Sequence, residues 1–287
     1  MHSHVETFFE PSTSTFSHVL VAPGGRCAII DPVLDYDPRG ARTATRAADA
    51  IIDYVVRERL VVDWLLETHV HADHLSAADY LKQRLGGCTA IGEGVREVQA
   101  LFKPIFDAEA GFRTDGSQFD RLLADGEGLE LGPLTIEVWH TPGHTPACVS
   151  YHVEERVFVG DVVFMPDVGT ARCDFPGGSA RALYRSVRRL LALPPQTRLH
   201  LCHDYPPTTR ALASVCTVAE TRAANVDIRD GVDEDAFVAE RARRDAQLDL
   251  PQLILPAIQV NMRAGALPPP AANGVRYLKL PLNTLGR

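Results

Sequence analysis

Residues 68–74 hold three histidines and an aspartate, namely His69, His71, His74 and Asp73. The preceding run at 61–66 is apolar and rich in β-branched residues, which predicts a buried strand. Residues 75–84 have apolar side chains at helical spacing and predict a helix. We therefore predict that residues 68–74, the histidine loop, leave the C-terminal end of a strand, where a rigid scaffold can fix several ligands. So short a run cannot close a metal shell alone.

Three later motifs have the same placement, each at the end of a predicted strand: Thr141-Pro142-Gly143-His144, Gly160-Asp161 and His203-Asp204. Each motif alone is weak evidence, because a histidine after a strand is commonly just hydrogen-bonded and Gly-Asp is a common turn. The histidine loop is stronger evidence, because its histidines would repel one another once protonated, whereas a metal holds imidazoles neutral. Together the motifs predict a metal site. The other histidines have no such motif and are predicted not to be ligands: His2, His4, His18, His140, His152 and His200.

The rest of the chain predicts an alternation of strands and helices. Further strands are predicted at residues 16–22, 26–31, 88–91, 119–123, 134–140, 148–153, 157–159 and 198–202, and further helices at 43–59, 95–102, 179–191, 215–224 and 234–248. The first two strands are joined by Pro23-Gly24-Gly25, and Ser179 is a predicted N-cap. This order is compatible with two sheets sandwiched between helices, or with an open doubly wound sheet. We predict a single domain over residues 1–287, in which 215–287 form a helical and extended C-terminal extension.

Composition excludes several classes of function. The net charge of −8 gives no long-range attraction for nucleic acid or an anionic membrane surface. No run of 18 apolar residues predicts a membrane span, and the N-terminal residues lack the features of a signal peptide. The six cysteines are scattered, without a CxxC pair, and are predicted to be free thiols. A cytoplasmic location is therefore expected.

The order of these motifs resembles that of the metallo-β-lactamase superfamily. Within it, the chain is most similar to the persulfide dioxygenases, the group related to the human ethylmalonic encephalopathy protein. The resemblance extends from Val5 to Gly265, and its further motifs are Phe9-Glu10-Pro11, Ile30-Asp31-Pro32-Val33, Arg172-Cys173-Asp174-Phe175, His203-Asp204-Tyr205 and Asn261-Met262-Arg263. It implies an α/β fold, the αβ/βα sandwich of two mixed sheets between helical layers, with the metal site along one edge of the sheets.

The resemblance also implies a cofactor and a reaction. His69, His144 and Asp161 would hold one Fe(II) per chain, with zinc as an alternative occupant. Two histidines and one carboxylate leave open positions on iron, which is the pattern of non-haem oxygenases. Glutathione persulfide, O2 and water would yield glutathione and sulfite. The residues that would surround a vacant second site and orient the ligands are His71, Asp73, His74 and His203.

The same resemblance implies roles beside the metal. Arg172 would pair with a glutathione carboxylate, and Arg263 has a similar but weaker claim. Tyr205 would place a hydroxyl near the iron. Cys173 stands where family members often have threonine, either as a bystander or as a thiol that reacts with persulfide sulfur. Similar proteins are often homodimers, whereas the residues of this chain leave its oligomeric state open.

The main alternative is a dizinc thioester hydrolase similar to glyoxalase II, which shares the motifs and also uses glutathione. The segment from Arg172 to Phe175 argues against it, because those hydrolases tend to have a Glu-Gly pair further along. Their larger helical glutathione-binding domain is also not evident. A lactonase is a third reading. A purely structural site is disfavoured, because structural zinc sites usually use four closed, cysteine-rich ligands.

Overall fold

A computed structural model of the chain describes residues 2–285. Met1, Gly286 and Arg287, the ends of the predicted domain, lie outside the described residues. In chain order, the described elements are β1 (His4–Glu10), β2 (Thr15–Val21), β3 (Arg26–Ile30), β4 (Val33–Asp37), β5 (Arg42–Ala44), α1 (Arg46–Arg57), β6 (Val61–Leu66), β7 (Leu75–Ser76), α2 (Ala78–Leu85), β8 (Cys88–Gly92), α3 (Val95–Ile105), β9 (Arg121–Leu123), β10 (Gly128–Leu131), β11 (Leu134–His140), β12 (Val149–Val153), β13 (Arg156–Phe158), α4 (Ala180–Leu191), β14 (Arg198–His200), β15 (Val215–Thr217), α5 (Val218–Ala224), α6 (Glu234–Asp245) and α7 (Ile254–Asn261).

These strands form two mixed six-stranded sheets and a small third sheet. The first sheet has the order β1-β2-β3-β6-β8-β9, antiparallel at β1-β2-β3 and parallel from β3 onward. The second has the order β10-β11-β12-β13-β14-β15, in which only β13 and β14 run parallel. The third sheet, β5-β4-β7, lies beside the histidine loop.

The alternation of side chains along the strands builds the layers of the fold. Leu20, Ile30 and Leu66 of the first sheet pack against Ile136 and Tyr151 of the second, forming a core between the sheets. Neighbouring strand residues point to the opposite face, because successive side chains alternate across a strand. That face of the first sheet packs on α1 and α2, and the outer face of the second packs on α4. The predicted αβ/βα sandwich is therefore confirmed.

The two sheets meet along one edge, close to the start of β2 and the end of β14. The Phe16 backbone N–H donates to the Cys202 carbonyl over 2.7 Å, and Thr15 forms an isolated bridge with His203. This junction brings loops of the second sheet against the histidine loop of the first. Residues distant in the sequence can therefore converge there.

Most predicted elements are confirmed, and the differences have a common cause. Residues 61–66 are a strand, and Ser179 caps α4 by accepting a hydrogen bond from the Ala182 N–H. The predicted helices at 75–84 and 215–224 begin later, because their first residues pair as β7 with β4 and as β15 with β14. Tertiary pairing thus overrides local helical spacing at both places.

The sequence prediction also missed β1, β4, β5, β10 and α7. Phe9 and Glu10, expected to precede the first strand, are themselves the end of β1. All six cysteines are free as predicted, and Cys88 is exposed. Among residues 2–285, no helix combines the length and the apolar character needed to cross a bilayer.

Candidate metal centre

Three side chains from three different strand ends converge at the junction of the sheets. His69 follows β6, His144 follows β11, and Asp161 follows β13. The Asp161 Oδ2 lies 3.8 Å from the His69 Nε2 and 3.7 Å from the His144 Nε2. The ligand-type atoms of the three residues all lie within 4.8 Å of one another. We call this group the triad.

The hydrogen bonds behind the triad turn its ligand atoms inward. The His144 Nδ1–H donates to the Arg172 carbonyl over 2.8 Å, and the His69 Nδ1 lies 3.0 Å from the Thr68 Oγ1. This leaves Nε2 of each ring for a ligand. The buried His69 Nε2 and Asp161 Oδ1 have no hydrogen-bond partner, which would be costly in a site built to stay empty. The triad residues therefore fit a bound metal ion.

The next histidine of the loop, His71, is held by two buried carboxylates. Its Nε2 lies 3.0 Å from the Asp31 Oδ1 and 3.3 Å from the Glu67 Oε2. Burial lowers the pKa of His71, but Asp31 above all raises it well above its ordinary value. Asp31 also accepts hydrogen bonds from the Thr68 N–H and Oγ1–H. Asp31 therefore binds both His71 and Thr68, the residue whose hydroxyl contacts His69.

A second group of ligand-type residues adjoins the triad through Asp161. The His203 Nε2 lies 3.1 Å from the Asp73 Oδ2 and 3.4 Å from the Asp161 Oδ1. The His203 Nδ1 contacts the Ser14 carbonyl at 3.1 Å, and the His74 Nδ1 contacts the Leu75 carbonyl at 3.3 Å. Both Nε2 atoms are buried, and that of His74 has no hydrogen-bond partner. The predicted supporting residues thus all lie beside the triad.

The histidines of the site differ in the direction in which their pKa values are shifted. Burial, reinforced by the neighbouring His71 and His144, lowers the pKa of His69 well below its ordinary value. Burial likewise lowers the pKa of His74 to about 3. His203 differs, because Asp73 in particular outweighs burial and raises its pKa well above its ordinary value. His69 and His74 therefore stay neutral, the form of histidine that binds a metal.

A cavity of about 300 Å³ opens beside the triad. Asp73, His144 and Asp161 line its polar end, whereas Phe164, Phe175 and Leu248 are among its apolar walls. Tyr205, half-exposed, also lines the cavity and stacks on the His203 ring at a centroid distance of 5.9 Å. The cavity can admit a small substrate to one side of the triad.

The predicted substrate-binding residues are placed differently from one another. Arg172 lines the cavity, but its guanidinium forms a bidentate pair with Asp174 at 2.6 and 2.8 Å. Arg263 does not line this cavity. It binds Glu109 at 2.6 and 2.7 Å and lies over the Phe112 ring. The structure therefore does not bring Arg263 to the cavity beside the triad, and its role in substrate binding stays a prediction.

Cys173 is not a wall of the cavity either. The side chain is buried in the core cluster beneath the second sheet, and burial raises the thiol pKa well above its ordinary value. Its backbone N–H donates to the Asp245 Oδ2 over 2.9 Å. The thiolate, which is the reactive form, is thus disfavoured at this position.

Sequence reasoning gave no role to the carboxylates that support the site. Asp31 was part of a recognised motif, and its position directly after β3 resembles that of the ligands, which could have indicated it. Glu67 gave a weaker signal as a carboxylate closing an apolar strand. Arg241 and Arg244 also line the cavity from α6, and nothing in their local sequence predicts this.

Comparison with known proteins agrees with the fold. The family model described as the metallo-beta-lactamase superfamily matches residues 14–203. The chain belongs to the metallo-β-lactamase superfamily. The similarity to persulfide dioxygenases predicted from the motifs is also confirmed. The human mitochondrial persulfide dioxygenase ETHE1 is 30% identical over 92% of this chain and 89% of that protein.

Other relatives are named as a hydrolase or a glyoxylase and not as a dioxygenase. The chain is 58% identical to a probable metallo-hydrolase of Burkholderia pseudomallei, over 98% of this chain and 99% of that protein. It is 50% identical to Glyoxylase B2 of Dictyostelium discoideum, over 98% and 97% of the two chains. Among solved structures, ETHE1 from Myxococcus xanthus superposes with a TM-score of 0.72 at 26% identity, covering 92% of this chain and all of that one, 100%.

Proposed function

We propose that the protein is a persulfide dioxygenase, which oxidises glutathione persulfide with O2 and water to glutathione and sulfite. The observation that carries this proposal is the triad itself. His69, His144 and Asp161 group around one point, whereas the Nε2 of His71 is held by Asp31 and Glu67. Two histidines and one carboxylate beside an open cavity are the pattern of non-haem iron oxygenases.

In this proposal the triad would hold one Fe(II). Bound iron would supply the redox chemistry that lets O2 react with sulfur. The overall conversion is balanced: the S–S bond breaks, the terminal sulfur is oxidised to sulfite, O2 is reduced, and water supplies the third oxygen. The thiol leaves as glutathione.

The remaining residues would position the reactants and exclude solvent. The Arg172 carbonyl fixes the His144 ring, and Thr68, itself bonded to Asp31, fixes the His69 ring. Phe164 and Phe175 make the cavity wall apolar, which suits a sulfane sulfur. The similarity to human persulfide dioxygenase along most of the chain supports the same assignment.

A dizinc hydrolase is the second candidate. Asp73, Asp161 and His203 form a ligand-type group next to the triad, which could complete a dinuclear site. The relatives named as a metallo-hydrolase and a glyoxylase, at 58% and 50% identity, also favour it. The two candidates differ in metal content and in the use of O2.

The deciding experiment is metal analysis of protein purified anaerobically under reducing conditions, followed by assays on glutathione persulfide. We expect about one iron per chain, O2 consumption and sulfite release, because the triad offers a single facial set. His144→Gln should lose both iron and O2 consumption, whereas His140→Gln, at the end of the same strand, should keep them. Two zinc ions per chain, with hydrolysis of S-lactoylglutathione and no O2 consumption, would refute the proposal.

A further inference from the structure

A side-chain amide from the C-terminal extension binds the histidine loop from behind. Asn261, the last residue of α7, is buried, with 3% of its surface exposed. Its Nδ2 donates to the His71 carbonyl over 2.8 Å and to the His74 carbonyl over 2.7 Å. Its Oδ1 accepts the Ser76 N–H over 2.7 Å. Both N–H groups of the Asn261 amide therefore bind this loop, and its carbonyl oxygen binds Ser76, two residues beyond the loop.

The rest of α7 packs closely on the same loop. Ile254, Ile258 and Met262 belong to one buried cluster with Val70 and Ala72 of the histidine loop. The chain then turns back against the start of α2 through a glycine of positive φ, +83° at residue 265. A Cβ at this position would lie 2.8 Å from the Ser76 carbonyl oxygen, so only glycine fits there. The helix is thus held against the loop from both sides of Asn261.

We propose that Asn261 is a positioning residue of the metal site. One NH2 group binds the carbonyls at both ends of the turn from His71 to His74, and so fixes the backbone that carries Asp73 and His74. The position of His69, two residues earlier in the same loop, depends on the same backbone. Groups that orient metal ligands commonly contribute about 10- to 100-fold to metal affinity.

This inference goes beyond the proposed function, because it concerns how the metal is held and not which reaction follows. It also assigns a role outside residues 14–203, the part of the chain that the superfamily model matches. Asn261 touches neither substrate nor metal in this scheme. It acts only through the loop.

The same helix offers a matched control. Gln259 is also buried, at 4% exposure, and its amide makes the same number of hydrogen bonds. Its Nε2 donates to the carbonyls of Leu255 and Lys279, and its Oε1 accepts the Lys279 N–H. Gln259 therefore binds the C-terminal tail, whereas Asn261 binds the histidine loop. Replacing either amide by leucine removes equivalent buried hydrogen bonds from one helix.

The experiment titrates metal-free protein with Co(II) under anaerobic conditions and follows the visible d–d absorption bands. We expect Asn261→Leu to bind Co(II) about 10- to 100-fold more weakly than wild type and to show altered d–d bands. Gln259→Leu should lose stability but keep wild-type affinity and bands. Because the readout is Co(II) binding, it is independent of the dioxygenase and hydrolase assays.

Two results would overturn the proposal. One is wild-type Co(II) affinity and spectrum in Asn261→Leu; the other is an equal loss of affinity in Gln259→Leu, which would show a merely structural effect. If Asn261→Leu does not fold, Asn261→Asp decides, since it keeps the shape and the acceptor for Ser76 but not the NH2 group. Unchanged Co(II) binding in a folded Asn261→Asp protein would also overturn the proposal.

Discussion

Asp161 is the residue that faces both halves of the candidate site. Its Oδ2 lies within 3.8 Å of the His69 and His144 rings, and its Oδ1 lies 3.4 Å from His203. Burial raises the pKa of this carboxyl above its ordinary value, and the neighbouring His203 and His144 oppose this shift. A buried carboxylate among imidazoles supplies the negative charge that a divalent cation requires. Metal binding should therefore depend on this side chain more than on any outer contact.

Asp161→Asn keeps the shape of the side chain and removes its charge. We expect iron affinity to fall by more than about 100-fold, because loss of a ligand should exceed the effect of losing an orienting group. Metal content after dialysis against a weak chelator measures this. The matched control is Asp204→Asn, which changes a buried aspartate beside His203 that binds Arg210 instead. Full retention of iron by Asp161→Asn would exclude Asp161 as a ligand.

Local sequence indicated the motifs that converge at the site but not the groups that support them. His69, His144 and Asp161 each follow a strand, and the family resemblance selected them as the expected ligands. The support for His71 comes from Asp31, whose burial depends on how the sheets pack. The pairing of Arg263 was not predictable for the same reason, since its partner Glu109 lies 154 residues earlier and no local pattern reveals the pair.

At the scale of elements, strands with a clear apolar run such as β6 were predictable, whereas β7 and β15 were not. The strand β6 was predicted with its observed bounds, because an apolar run in the middle of a sheet is a local property. The strands β7 and β15 have only two and three residues and exist because they pair with β4 and β14. A short window of sequence does not reveal which strands will pair, so the helical spacing of the residues in β7 and β15 was misleading.

The joint between β2 and β14 contains a buried histidine that the metal site does not use. The His18 Nε2–H donates to the Leu201 carbonyl over 2.9 Å, and its Nδ1 accepts the Thr7 hydroxyl over 3.0 Å. The His18 ring lies edge-on to that of His200 at 5.4 Å. Burial lowers the pKa of His18 from 6.5 to about 4. This ring therefore joins the two sheets in its neutral form.

Acid should weaken this joint in a defined pH range. Between pH 6.5 and 4 the unfolded chain binds a proton at residue 18 and the folded chain does not. The free energy of unfolding should therefore fall as the pH drops through this range, by about 3 kcal/mol from His18. Denaturant unfolding of metal-free protein at several pH values measures it. His18→Gln should flatten the curve relative to wild type.

The control for this prediction is His4→Gln, which changes an exposed histidine on β1 that contacts Tyr54. Its unfolding free energy should follow the wild-type pH curve, because this substitution leaves the buried His18 in place. Parallel curves for wild type and His18→Gln would contradict a neutral, buried His18.

At the scale of the whole molecule, the C-terminal helix completes two separate cores. Leu253, Ala257 and Val260 belong to the cluster on the outer face of the first sheet. Ile254, Ile258 and Met262 belong to the cluster that contains Val70 and Ala72 of the histidine loop. Residues at alternate positions along this helical segment thus pack on the first sheet on one side and on the histidine loop on the other. The extension predicted from sequence is in this respect an integral part of the fold.

Ending the chain after Leu250 should therefore prevent stable folding. Removing these six buried apolar side chains loses roughly 2 kcal/mol for each of the larger ones. Their sum is of the same order as the total stability of a domain, roughly 5–15 kcal/mol. We expect insoluble or protease-sensitive protein that retains no metal, measured by solubility, limited proteolysis and metal analysis.

A chain ending after Ala266 is the matched comparison, because it keeps α7 and Asn261 and loses only the tail. The tail contributes the contacts of Lys279 with Gln259 and Asp107, together with the packing of Leu278. This shorter chain should fold with reduced stability and still bind metal. If the chain ending after Leu250 bound metal equally well, the histidine loop would hold its shape without α7, and the coupling between the extension and the metal site would be wrong.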